Sequence, residues 1–135
     1  MDKREVTIKF KSTMYDTGEG IEVSAKGIYF YKDEKHQVMY TEVNESGADT
    51  KNILKFDEES LEVTKLGATK TSMLYKAGNT YNDIYHTPLG EFDMCIKTEE
   101  YAMFSGVNGY DLVTLYNLEL GGAHVSKCKV EISIK

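Results

Sequence analysis

The feature that most constrains this chain is alternation with a period of two. Val6, Ile8 and Phe10 are interleaved with Thr7, Lys9 and Lys11. Phe92, Met94 and Ile96 are interleaved with Asp93, Cys95 and Lys97, and Cys128, Val130, Ile132 and Ile134 with Lys127, Lys129 and Glu131. Successive side chains of a strand point to opposite faces, so each run reads as a strand with one buried and one wet face. Residues 61–73 come nearest to helical spacing, but Val63, Thr64, Thr69, Thr71 and Gly67 oppose a helix there. The chain therefore reads as all-β.

Between the alternating runs lie short turn signals. Asp16-Thr17-Gly18-Glu19-Gly20, Lys32-Asp33-Glu34-Lys35, Ser46-Gly47-Ala48-Asp49 and Asp57-Glu58-Glu59-Ser60 punctuate the first half. Thr87-Pro88-Leu89-Gly90, Gly106-Val107-Asn108-Gly109 and Gly121-Gly122 punctuate the second. Pro88 is the single proline; with Gly90 it fits a type I turn, and Asn108-Gly109 is a strong hairpin signal. Gly27, inside a long strand pattern, predicts a bulge or a barrel corner, with Ile28 to Tyr31 buried on both sides beyond it. The pattern predicts one domain over 1–135: a single antiparallel, mostly up-and-down β-barrel of about eight to ten strands, since closure removes exposed edges. A two-sheet sandwich is the alternative architecture.

The 135 residues suffice for one real core. With 22 acidic against 16 basic residues the net charge is −6, and Arg4 is the only arginine. That balance excludes a nucleic-acid face, which is basic and rich in arginine forks. No apolar run has the length of a membrane span or a signal core, so a cytoplasmic protein is expected, with no membrane partner. Cys95 and Cys128 match no metal spacing and read as reduced thiols, and His36, His86 and His124 share no ligand spacing. His36 and His124, beside turns, read as solvent-exposed. No cofactor or metal is predicted.

Gly27-Ile28-Tyr29-Phe30-Tyr31, Tyr40-Thr41-Glu42, Val63-Thr64-Lys65-Leu66-Gly67, Met73-Leu74-Tyr75, Tyr85-His86-Thr87-Pro88-Leu89-Gly90 and Leu115-Tyr116-Asn117-Leu118 occur in that order along nearly the whole chain. In this succession the chain resembles the YwiB-like bacterial domain family of unknown function. The resemblance implies a calycin-like fold, that is, a lipocalin-type antiparallel barrel, in a cytoplasmic bacterial setting. It also implies an arginine where this chain has Lys65, so a bidentate guanidinium is missing here.

Two charged residues fall in phase with apolar faces. Glu42 shares a face with Val38 and Tyr40, and Lys65 with Leu61 and Val63. In an up-and-down meander the third, fifth and seventh strands run the same way, which brings Glu42, Lys65, Tyr85 and His86 to one barrel mouth, with Asp93 nearby. A carboxylate and an ammonium in an apolar pocket are how small-molecule sites anchor a ligand. The leading expectation is a non-enzymatic barrel that holds a small apolar or amphipathic ligand in its interior. The alternative is a homodimeric interaction module with a filled barrel and Tyr29, Tyr31 or Tyr110 at its contact. The third is an enzyme with Glu42 as general base beside Lys65. No catalytic motif is evident.

Overall fold

The computed structural model describes residues 3–43, 49–67, 70–87 and 89–135. Pro88 and the turn residues 46–48 fall outside that set, so the turns expected there are not described. Among the described residues there are ten strands and no helix. These are β1 (Arg4–Met14), β2 (Gly20–Lys32), β3 (Lys35–Val43), β4 (Asp49–Phe56) and β5 (Ser60–Leu66). The second half contributes β6 (Lys70–Lys76), β7 (Thr80–Thr87), β8 (Gly90–Gly106), β9 (Gly109–Leu120) and β10 (Ala123–Ile134).

All ten join one antiparallel sheet in the order β6-β5-β4-β3-β2-β1-β10-β9-β8-β7. Every neighbour in that order is a hairpin partner except β1 and β10, which pair from Ile8↔Ile134 to Met14↔Cys128. The two ends of the sheet, β6 and β7, are joined by the short turn after Lys76 and pack together, β6 also lying against β8. The result is a nearly closed barrel, as the alternation predicts.

The inner face carries the core. Val6, Ile8, Val38, Leu54, Phe56, Leu61, Ile96, Leu112, Ile132 and Ile134 are all buried there. Two bulges keep the longest strands in phase. In β8 the register shifts between Thr98 and Glu100. Without the extra residue, strict alternation would aim Glu100 inward; with it, Thr98 and Tyr101 both face the core. A second shift between His124 and Ser126 turns Ser126 inward, fully buried.

The turns expected at 106–109 and 32–35 are both present, and their backbones differ. The β8–β9 turn is formed by Val107 and Asn108, with Gly106 paired to Gly109. Asn108 has no positive φ, so the turn sits one residue earlier than an Asn-Gly type I′ pair would place it, and Gly109 takes up the strain at φ 148°. A Cβ there would collide with the Ile134 carbonyl, so only glycine fits. The β2–β3 hairpin, by contrast, does put two side-chain-bearing residues, Asp33 and Glu34, at φ 56° and 63°.

Gly27 is not a bulge. The β1–β2 register runs through it unbroken from Arg4↔Tyr29 to Thr13↔Gly20. It marks instead a close approach of three strands: a Cβ would lie 2.7 Å from both Ile8 Cδ1 and the Met39 carbonyl oxygen. Nor does β2 become buried on both sides beyond it, because Ile28 and Tyr31 are exposed and only Phe30 is covered on the outer face. Gly27→Ala is expected to destabilise by roughly 1–3 kcal/mol, the usual cost of forcing atoms into a packed site. Gly20→Ala, whose Cβ would meet only the Ser12 oxygen at 3.5 Å, should leave stability unchanged or raise it. Urea midpoints of the two variants check this; equal shifts would refute the close-approach account.

Candidate functional site: a cavity that opens through the barrel wall

β2 and β3 pair only from Gly27↔Tyr40 to Lys32↔Lys35. Past that point β2 keeps β1 as its partner, while β3 continues against β4 as far as Val43↔Asp49. The wall therefore parts between residues 20–26 and 41–43. Behind the gap lies a cavity of about 690 Å³, lined from inside by Phe10, Ala25, Tyr40, Leu54, Leu61, Val63, Met73 and Ile132. Ser24, Lys26, Thr41 and Val43 line it too, although they lie on the outer face. Outward residues can border an interior space only if it opens between their strands. Ile21 and Val23 fit the same picture: they are in phase with the inward face, yet they are 64 % and 49 % exposed.

The structure brings Glu42 and Lys65 together at this cavity. Lys65 pairs with Asn52 across β4–β5, and Asn52 with Tyr40 across β3–β4, which aligns all of them on the inner face. Lys65 Nζ lies 3.4 Å from Glu42 Oε1, and Asn52 Nδ2 donates to the same oxygen at 3.0 Å. Asn52 is fully buried, and its Oδ1 has no hydrogen-bond partner among the described residues. Sequence reasoning missed Asn52. Its only signal was a two-residue step from Leu54 towards the strand start.

Tyr85 also faces inward, but into an adjoining cavity of about 210 Å³ that it shares with Met94, Tyr116 and Leu118. Met73 and Tyr75 line both spaces and stand between them. Tyr75 meets Tyr116 edge to face with centroids 4.9 Å apart, and burial pushes its hydroxyl up to about 12. His86 does not join the group. One step on from Tyr85, it lies on the outer face, where Nδ1 is 3.0 Å from Glu91 Oε1. Asp93 is likewise on the outer face, opposite Ile84.

The opposite end of the barrel is plugged by rings, and here His36 corrects the expectation of a solvent-exposed histidine. It is half-buried, stacked on Phe56 at 5.0 Å and tilted against Tyr110 at 4.5 Å. The Tyr29 hydroxyl lies 2.6 Å from its Nδ1. Arg4 covers the Tyr29 ring, with its guanidinium 5.0 Å from the centroid. Tyr29 and Tyr110, two of the three tyrosines proposed for an outer contact, are thus part of this inner plug. His124 stays exposed, beside Asp16 at 3.1 Å. Both cysteines are free.

Site and fold together define a class: an all-β, ten-stranded antiparallel barrel with a cavity reached through its wall. Residues 6–132 match the model of a domain of unknown function, DUF1934, and the chain belongs to that family. It is similar to the crystal structure of the ywiB protein from Bacillus subtilis, with 23 % identity and a TM-score of 0.80 over 97 % of this chain and 92 % of that one. At that identity the likeness speaks for the fold. No curated protein matches the chain.

Burial pushes the His36 imidazole below its ordinary value, with Asp57 pulling the other way. The unfolded chain then takes up this proton at a higher pH than the folded barrel does. Stability is therefore complete above the ordinary imidazole value and falls as the pH drops through it towards the lower folded value. The melting temperature should decline between about pH 7.5 and 5.5, and His36→Phe, which keeps the stack, should flatten part of that decline. Parallel profiles for the two proteins would refute the assignment.

Proposed function

We propose that this protein is a non-enzymatic binding barrel that takes a small, largely apolar or amphipathic ligand into the cavity behind the β2–β3 gap, with Glu42 and Lys65 anchoring its polar end and Asn52 holding Glu42 from behind. The cavity's volume lies within the roughly 300–1,000 Å³ of ordinary small-molecule sites, and its wall has the usual make-up of apolar side chains with a few convergent polar groups.

The observation that carries this reading is the polar trio itself. Folding alone gives little reason to keep it. Glu42 and Lys65 are each 40 % exposed at the side chain. An ion pair so wet contributes about 0–1 kcal/mol. The buried Asn52 Oδ1, with no donor among the described residues, costs about 1–3 kcal/mol. The hydrogen bond from Asn52 to the Glu42 carboxylate contributes about 1.5–3 kcal/mol in return, so the balance is close to neutral, and apolar side chains of similar volume commonly replace such a cluster at little cost. A ligand that engages these groups gives them a purpose that folding does not.

The ligand enters, in this reading, between β2 and β3, where no backbone ladder has to be broken. Tyr85 guards the second, smaller chamber beyond Tyr75 and contributes to binding only for ligands long enough to pass it. His86, on the outer face, has no part.

Glu42→Leu and Lys65→Leu should each weaken ligand binding by about tenfold or more, the loss of one good polar contact. Their melting temperatures should stay within a few degrees of the parent's. Native mass spectrometry of the freshly purified protein would supply the ligand, and calorimetric titration the affinities. Binding unchanged in both variants would remove the trio from the site; a variant that unfolds would show the pair to be structural.

A further inference from the structure

We infer that the site selects an uncharged head group that presents hydrogen-bond donors beside an acceptor, such as a primary amide or an alcohol, on an apolar body. This rests on the binding-barrel reading above. Glu42 and Lys65 are 3.4 Å apart and carry opposite charges, so the anchor has no net charge of its own. An anionic head drawn to Lys65 meets the Glu42 carboxylate at nearly the same distance. A cationic head drawn to Glu42 meets the Lys65 ammonium. Either loses most of what it gains and must still shed its hydration, whereas a neutral head sheds far less.

The hydrogen-bonding inventory points the same way and adds a direction. Both bonds to Glu42 converge on Oε1, so Oε2 has no partner among the described residues. Asn52 Oδ1, in the same cluster, has none either. Among the described residues Lys65 has the 3.4 Å contact with Glu42 alone and keeps N–H groups to spare. Asn52 Oδ1 is sealed off behind the pair, so the cluster offers the cavity one open acceptor, Glu42 Oε2, beside one ammonium with free donors. A head with N–H or O–H donors and one oxygen acceptor matches both sides: its donors meet Glu42 Oε2 and its oxygen meets Lys65 Nζ. A carboxylate has no donor to give, and an ammonium has no acceptor. The surrounding apolar wall, including Phe10, Leu54, Val63 and Ile132, receives the chain of such a ligand.

The test compares octanamide, octanoate and octylammonium, equal in chain length, by calorimetric titration of the full chain near neutral pH, with the parent protein and Glu42→Gln. The parent should bind octanamide about tenfold more tightly than either charged ligand. In Glu42→Gln the Lys65 charge is no longer balanced, so octanoate should rise to equal or pass octanamide while octylammonium weakens further. A parent protein that binds octanoate or octylammonium as tightly as octanamide overturns the head-group inference and leaves the binding barrel standing. An unchanged order of affinities in Glu42→Gln overturns it as well, because the pair would then not set the selection. If none of the three binds, nor their dodecyl counterparts, the binding-barrel reading falls and takes this inference with it. A melting curve for Glu42→Gln that overlays the parent's separates lost selection from lost fold.

Discussion

The barrel depends on the pairing of its first strand with its last. β1 through β6 form one run of hairpins and β7 through β10 another, each built from contacts between chain neighbours. Among the described residues, β6 meets β7 and β8 by packing, whereas the β1–β10 pair is the one backbone ladder between the two runs, from Ile8↔Ile134 to Met14↔Cys128. It closes nearly the whole chain into one loop, which is the costliest contact in entropy and the one most exposed to kinetic failure. What holds it is the burial of Ile8, Ile132 and Ile134 on the shared inner face. Because the side-chain period is two, closing this ladder in register sends every inward residue of both runs into one interior.

That interior is not uniform. One end is filled by rings, with His36 packed among Tyr29, Phe56 and Tyr110. The other end is open, because β2 and β3 meet closely at Gly27 and separate beyond it. The close approach of Ile8, Met39 and Tyr40 to the β2 backbone thus stands at the edge of the gap. The polar trio sits just inside that gap, on β3, β4 and β5, where its charges keep partial contact with water. A fully enclosed carboxylate and ammonium would cost far more. The position of the gap is what makes a charged anchor tolerable in an apolar wall.

Much of this was legible in the alternation. The strands of the barrel, their inward faces in β1, β3, β5 and β10, and the placing of Glu42 and Lys65 at one end of one face all follow from period two and from the sense of successive hairpins. Where a bulge intervened, alternation failed. Tyr101 reads as a separate short run because the step from Thr98 breaks the period, and the structure shows one continuous β8 with an extra residue. His86 was grouped with Tyr85 by proximity along the chain, although adjacent residues of a strand face opposite sides. His36 looked like part of a charged turn because its aromatic neighbours come from β2, β4 and β9.

The sequence by itself determined the strands, the antiparallel meander and, within an unbroken strand, which side chains share a face. These are local properties, set by backbone periodicity and turn chemistry within a few residues. Only the tertiary structure decided that the wall opens beside Gly27, that Asn52 completes the Glu42–Lys65 pair, and that His36 belongs to a plug of rings. Each of these depends on how far strands from distant parts of the chain approach or diverge in a twisted sheet. That separation is set by the packing of the whole barrel and leaves no trace in the order of neighbouring residues.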